Sequence, residues 1–282
     1  MKFTKGVLFM LIASLSFGLM NISVKMISHL HVSEVVFFRA IVQIILGLSV
    51  LVYLKQSPWG KNPKMLFMRG LFGSLGLVGY FYSLQIMPLG NAIVIYYLSP
   101  ILTTLLALYL GDEKVRKIQW LYFGISFLGV IVVNGFSDNI TPAGIIAGLG
   151  GAVFSAFAYN TIRRLKGIEN PNVVVLYFPM VTLPLSLLYT AFDTDSWRVP
   201  VGKEWFWLLL TGIATQIGQF FMTRAYQEDS TSKVSAVSYA GVIWATAASV
   251  LIFAESYSIY QYIGIGLVLL GMVFNIRSSK TN

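Results

Sequence analysis

The chain has 282 residues, of which 56% are hydrophobic and only 11% charged, with a mean hydropathy of +0.74; an average soluble domain carries roughly 25% charged residues, so lipid rather than water is its solvent. A net charge of +9 on such a chain reads as basic loops beside apolar spans, facing anionic headgroups, and speaks against nucleic acid as a partner. Cysteine is absent, which excludes a disulfide framework, a thiol nucleophile and a Cys-held metal. About 20 apolar residues cross the hydrocarbon core as a helix. Ten such runs follow in chain order, at 5–27, 33–54, 65–86, 90–110, 118–134, 142–163, 173–192, 205–226, 233–253 and 258–276. The first starts behind Lys2 and Lys5 as a signal peptide would, but runs on through Lys25 without a small-residue cleavage site and is read as a span. Turn-forming stretches such as 58–64, 111–117 and 193–202 separate the runs. No run alternates with period two, which disfavours a β-barrel.

With residue 1 in the cytoplasm, 16 of the 20 basic residues, including Lys55, Lys64, Arg69, Arg163 and Lys233, fall on the inner side. The outer side receives Lys25, Arg198 and Lys203, while Arg39 lies inside the second span. The positive-inside rule then places both termini in the cytoplasm. The two halves also repeat at an offset of 142 residues: Gly70 matches Gly212, Gly76 Gly218, Tyr97 Tyr239, Glu113 Glu255, Gln119 Gln261, Gly124 Gly266 and Gly129 Gly271. Each copy holds five spans, an odd number, so the copies lie inverted relative to one another. The expected fold class is an all-α integral membrane protein, ten transmembrane helices arranged as two inverted five-helix repeats over residues 1–136 and 142–277.

This organisation resembles the EamA family of the drug/metabolite transporter superfamily. The resemblance is carried by the Leu98-Ser99-Pro100 turn in span four, Leu110-Gly111-Asp112-Glu113 at its end, residues 124–130 in span five, the Phe253-Ala254-Glu255 end of span nine and residues 264–271. It implies transport of small organic metabolites by alternating access, amino acids or their derivatives first, with efflux favoured over uptake. Gly241-Val242 departs from the first-half pattern by lacking a counterpart to Pro100, so no proline kink is expected in span nine.

Inverted-repeat transporters bind solute near the midplane between the repeats, where polar groups must face a cavity or one another. Ser14, Gly18, Asn21 and Lys25 form one stripe of span one. Ser14 and Gly18 suit helix packing, Asn21 suits packing or solute contact, and Lys25 snorkels to the interface. Span two carries Arg39, whose guanidinium suits either an anionic group such as a substrate carboxylate or an ion pair or hydrogen bond with Glu34 or a neighbouring helix end. In span three Gly70, Gly73, Gly76 and Gly79 read as a close-approach surface, and Tyr80 as cavity wall or interfacial belt. Span four offers Tyr96 and Ser99 beside Pro100, which frees a backbone carbonyl in mid-membrane. Tyr159 and Asn160 in span six, Gln216 and Gln219 in span eight, and Tyr239 and Trp244 in span nine complete the candidate substrate-binding set. Each fits helix packing or hydrogen bonding between helices as well as solute contact.

All eleven acids lie in loops or at span ends, which argues against a central carboxylate proton relay. Glu113 and its counterpart Glu255 fit helix caps or ties. His29 and His31 share a loop with no further ligand, and read as surface residues rather than a metal site. No nucleophile–base pair, zinc motif or phosphate loop assembles, so no catalytic role, metal or cofactor is expected. The partners are a small-molecule metabolite and the bilayer of a cell inner membrane; a homodimer is left open. Competing readings are an importer of a vitamin or nucleotide-like compound and, from another class, a membrane enzyme or scaffold.

Overall fold

The computed structural model describes residues 4–87, 89–134, 141–192, 198–253 and 258–278. Every regular element among them is helical: α1 (Lys5–Met26), α2 (Val32–Tyr53), α3 (Pro63–Ile86), α4 (Leu89–Tyr96), α5 (Ser99–Tyr109), α6 (Lys117–Asn134), α7 (Pro142–Arg164), α8 (Pro171–Phe192), α9 (Glu204–Glu228), α10 (Thr231–Ser238), α11 (Ala240–Phe253) and α12 (Ile259–Ser278). Among the described residues eight helical stretches are long and apolar enough to cross a membrane, with α4 and α5 together forming one of them. The remaining two of the ten expected spans correspond to α6, a shorter apolar helix, and to the pair α10 and α11.

Local chemistry sets the ends. The Asn62 side chain accepts from Met65 N at 3.1 Å ahead of Pro63, and Thr141 Oγ1 accepts from Gly144 N at 3.2 Å ahead of Pro142. Both are side-chain N-caps followed by the proline that a first helical turn tolerates. Beyond α5, Gly111 takes φ +72°, the left-handed conformation that stops a helix and favours glycine. Helix four breaks at Tyr97 because Pro100 has no N–H for the Tyr96 carbonyl and its ring crowds that oxygen. Span nine is broken as well, at Tyr239, although it has no proline to kink it. There the Tyr239 N–H bonds to Ala236 O, a tightened i→i−3 link, while its hydroxyl donates to the Tyr97 carbonyl at 3.0 Å. The two breaks thus meet, with their tyrosine rings stacked at 5.6 Å.

The helices pair as α1 with α9 and α3 with α7, α2 with α9 and α3 with α8, and α1 with α11 and α5 with α7; α2 also packs on α8 and α6 on α12. Exchanging each helix for its counterpart 142 residues away leaves this set unchanged. Glycines permit the closest crossings: a Cβ on Gly79 would meet the Ala147 carbonyl at 2.7 Å, and one on Gly129 the Gly264 carbonyl at 2.6 Å, as expected where small residues let backbones approach. The main apolar core, with Val7, Leu66, Ile162, Leu176 and Tyr226, fills the end of the bundle that carries Thr4 and Ser278. This is called the termini end below.

Candidate functional site

Between α3, α4, α7, α8 and α9 lies a hollow of about 60 Å³, room for about two waters at their liquid volume. One wall is Arg69, only 1% exposed. Its Nη2 donates to Gln219 Oε1 at 2.8 Å, and its guanidinium carbon sits 5.2 Å from the centre of the Phe178 ring. Gly73, one turn along α3, makes this possible, since a side chain there would overlap Arg69 Nη1 and lie 2.9 Å from the Phe178 ring. Arg69 Nε and Nη1 are buried without a hydrogen-bond partner.

The opposite wall is aromatic. The Tyr96 hydroxyl lies 3.3 Å from Ser155 Oγ, and its ring centre is 4.3 Å from that of Tyr80. Tyr159 also lines the hollow and stacks on Tyr226 at 5.2 Å. Tyr159 and then Tyr96 are electrostatic neighbours of Arg69, and Tyr96 is also one of Arg39 on α2. Arg39 is 4% exposed; its Nη1 reaches only the Met20 sulfur at 4.0 Å, and its Nε and Nη2 are buried unpartnered. The anticipated ion pair with Glu34 is not formed: Glu34, fully buried near the start of α2, has Arg198 as its charged neighbour of opposite sign.

The fold therefore gathers Tyr96, Tyr159 and Gln219 around one space, with Tyr80 stacked on Tyr96 and Arg39 an electrostatic neighbour of Tyr96. Other candidates have different neighbours. Tyr239 is fully buried against Tyr97, and its hydroxyl serves the carbonyl at the α4/α5 break. Ser99 is buried, and its carbonyl accepts the Thr103 hydroxyl at 2.6 Å. Asn160 is buried and ties α7 to α5 by donating to Thr103 O at 3.0 Å, its Oδ1 remaining unpartnered. Trp244 Nε1 donates to Ser14 Oγ at 3.0 Å across the α1/α11 contact, where Gly18 lies against the indole. Asn21 is exposed on α1, and Gln216 turns toward Gly47 of α2 with a buried, unpartnered Oε1.

Two residues escaped the sequence reading. Arg69 was grouped with the basic residues of the inner side, although it stands six residues inside α3 and is buried. Gln43, 1% exposed with both amide atoms unpartnered, continues a stripe of Arg39, Gln43 and Gly47 on α2. That i, i+4, i+8 spacing was the available clue. A second, apolar pocket of about 120 Å³ opens between α2, α3 and α8, and Leu77 lines both spaces.

At the termini end, Glu113 accepts from Arg163 Nη1 at 2.7 Å, Thr231 N at 2.7 Å and Ser232 N at 3.1 Å. Its carboxylate thus caps α10 and clamps it to the end of α7, as a helix tie rather than a hollow residue. Lys233, also placed on the inner side from sequence, is 2% exposed and pairs with Asp229 at 3.0 Å, and Asp229 in turn binds the Thr4 hydroxyl. Glu255 lies outside the described residues. At the other end His29 pairs with Glu204 at 2.7 Å and His31 accepts from Ser33 N.

The sequence pattern of the EamA-like transporter family matches the chain twice, over residues 4–135 and 142–277. Over 248 residues the chain is 32% identical to the pseudopaline exporter CntI of Pseudomonas aeruginosa, covering 85% of this chain and 84% of that protein. It is 27% identical over 274 residues to an uncharacterized transporter of Helicobacter pylori, covering 94% and 92% respectively. One protein of known crystal structure shares the fold with a TM-score of 0.86, at 20% identity, over 98% of this chain and 99% of its own.

Proposed function

The chain belongs to the EamA-like transporter family and is a multi-pass membrane transporter, and from that premise we propose that it exports a small organic metabolite, an amino acid or a related compound, by alternating access. In this reading residues 1–136 and 142–277 are inverted five-helix repeats in a cell inner membrane, with both chain ends in the cytoplasm. Support comes from helix pairings that survive exchange of the halves and from the two broken helices that cross at Tyr97 and Tyr239. Export is favoured by the relative named an exporter. The cytoplasmic assignment of the termini end rests on the basic residues crowded there.

The observation that carries the proposal is the small, half-polar hollow beside a helix break. At about 60 Å³ it is far smaller than the roughly 300–1,000 Å³ of a ligand pocket, so loading requires the helices to part. Tyr80, Tyr96, Tyr159 and Gln219 then touch the solute, Asn21, Gln216 and Trp244 join as α1, α9 and α11 move, and Tyr239, Ser99 and Asn160 hold the broken helices. Counterflow of labelled amino acids and related metabolites in proteoliposomes tests this. Solute-dependent exchange that falls at least tenfold in Tyr96→Ala is expected; a protein inert toward the whole panel contradicts it.

A further inference from the structure

Building on the transport reading, we infer that the solute carries two separated carboxylates, one held by Arg39 and the other by Arg69. Both guanidinium groups are almost fully buried in helices of a membrane protein, and among the described residues no carboxylate pairs with either. Each has five N–H donors to satisfy. Arg39 spends one on a thioether sulfur, a weak acceptor, and Arg69 uses one on a neutral amide. Two donor nitrogens on each remain unpartnered. An intramembrane charge persists where a partner of opposite sign meets it, because isolation in low dielectric is costly.

Among the described residues the surroundings supply no such partner. Their neighbours are Met20 of α1, Tyr96 of α4, Tyr159 of α7, Phe178 of α8 and Gln219 of α9, all uncharged. The space around Tyr96 is thus flanked by two positive charges that a neutral or zwitterionic solute leaves uncompensated. A monoanion answers one of them.

The placement of the two arginines also sets the shape of the solute. Arg39 stands seven residues into α2 and Arg69 six into α3, about 10 and 9 Å along their axes. Consecutive spans cross in opposite directions, so the two residues enter from opposite faces. In a core about 30 Å thick their Cα levels differ by about 11 Å, a gap that two arginine side chains narrow toward Tyr96. Such a pair suits acid groups at two ends of a short chain rather than one compact anion. Planar guanidinium forks grip carboxylates in bidentate fashion, which an ammonium does not reproduce.

Two arms test the inference on the full-length protein. In proteoliposomes, counterflow is measured for linear dicarboxylates from malonate to pimelate, their monoamides, glutamate, glutamine and leucine. One chain length is expected to exchange at least tenfold faster than its monoamide. Arg39→Gln and Arg69→Gln should each erase that preference, with Arg→Lys restoring only part of it. Leucine or a monoamide moving as fast as the best diacid overturns the inference while leaving transport intact, as does a preference that survives both substitutions. Inorganic phosphate competing as well as the best diacid overturns the two-ended geometry. In detergent, the same solutes at matched ionic strength are scored by the shift they cause in the thermal unfolding midpoint. A diacid-specific shift lost in the Gln variants sustains the binding site even if no solute crosses the vesicle membrane, in which case only the transport reading falls. No diacid-specific shift overturns the inference. Elution of each variant as a folded monodisperse species, and the Lys variants, separate ligand loss from misfolding.

Discussion

The buried arginine of α3 predicts an inverted mutational pattern, in which removing the charge is tolerated and removing its acceptor is not. Holding a guanidinium at membrane depth costs about 2.5–3.5 kcal/mol on the helix-insertion scale. Arg69→Met releases that cost, gives up the Phe178 contact worth about 0.5–2 kcal/mol, and strands the Gln219 carbonyl at about 1–3 kcal/mol. These terms nearly cancel, so the variant should stay within about 1 kcal/mol of wild type. Gln219→Leu instead leaves the charge buried without the acceptor 2.8 Å away, at a loss of about 1.5–3 kcal/mol. The double variant sheds charge and stranded carbonyl together and should exceed wild type by about 1–2 kcal/mol. Denaturant unfolding in mixed micelles, followed through the six tryptophans, measures all four proteins in one cycle. A loss of about 3–5 kcal/mol for Arg69→Met alone, the range for breaking a compensated buried ion pair, would show that Arg69 has a counter-charge and sink the reasoning.

Glu113→Gln should weaken the clamp between α7 and α10, because the carboxylate serves one arginine and two backbone N–H groups. In the naturally cysteine-free chain, thiol labelling of an introduced Ser155→Cys from the termini side should accelerate about 5–30-fold for a shift of 1–2 kcal/mol; an unchanged rate dissociates the clamp from access to the hollow. The repeat-matched glycines should split into two classes. Gly129→Ala and Gly271→Ala drive a methyl into the facing backbone of the α6/α12 crossing and should cost about 1–3 kcal/mol. Gly124→Ala and Gly266→Ala meet nothing within 4 Å and should gain up to about 1 kcal/mol from helix propensity. Equal unfolding midpoints across the four variants would contradict the crossing.

What the sequence revealed and what it hid follow from the range of each interaction. Helix ends at Asn62-Pro63 and Thr141-Pro142 were legible because capping is local. The break at Tyr97 was legible from Pro100 three residues on. Its counterpart at Tyr239 was not, for no residue nearby forbids a helix; the bond that fixes it comes from Tyr97, 142 positions away. Arg69 escaped for a similar reason. A basic residue near the start of a span ordinarily faces the interface, and only Gly73 below it and Gln219, 150 positions distant, turn it inward. Tyr80, Tyr96 and Tyr159 were legible as membrane-depth polar aromatics, whereas the outward face of Asn21 depended on how α1 turns against α9.

The carboxylate of Glu113 closes the termini end with bonds that water can replace. Its partner Arg163 is already 23% exposed, so parting α7 from α10 trades protein contacts for hydration rather than stranding donors in hydrocarbon. Such an exchange costs on the order of a few kcal/mol, so the alternating-access proposal needs only a thinly but constantly populated opened form. In the proposed alternating-access cycle a cargo therefore need not force this door; it has only to bind the opened form better than the closed one, while its concentrations on the two sides set the direction of net movement.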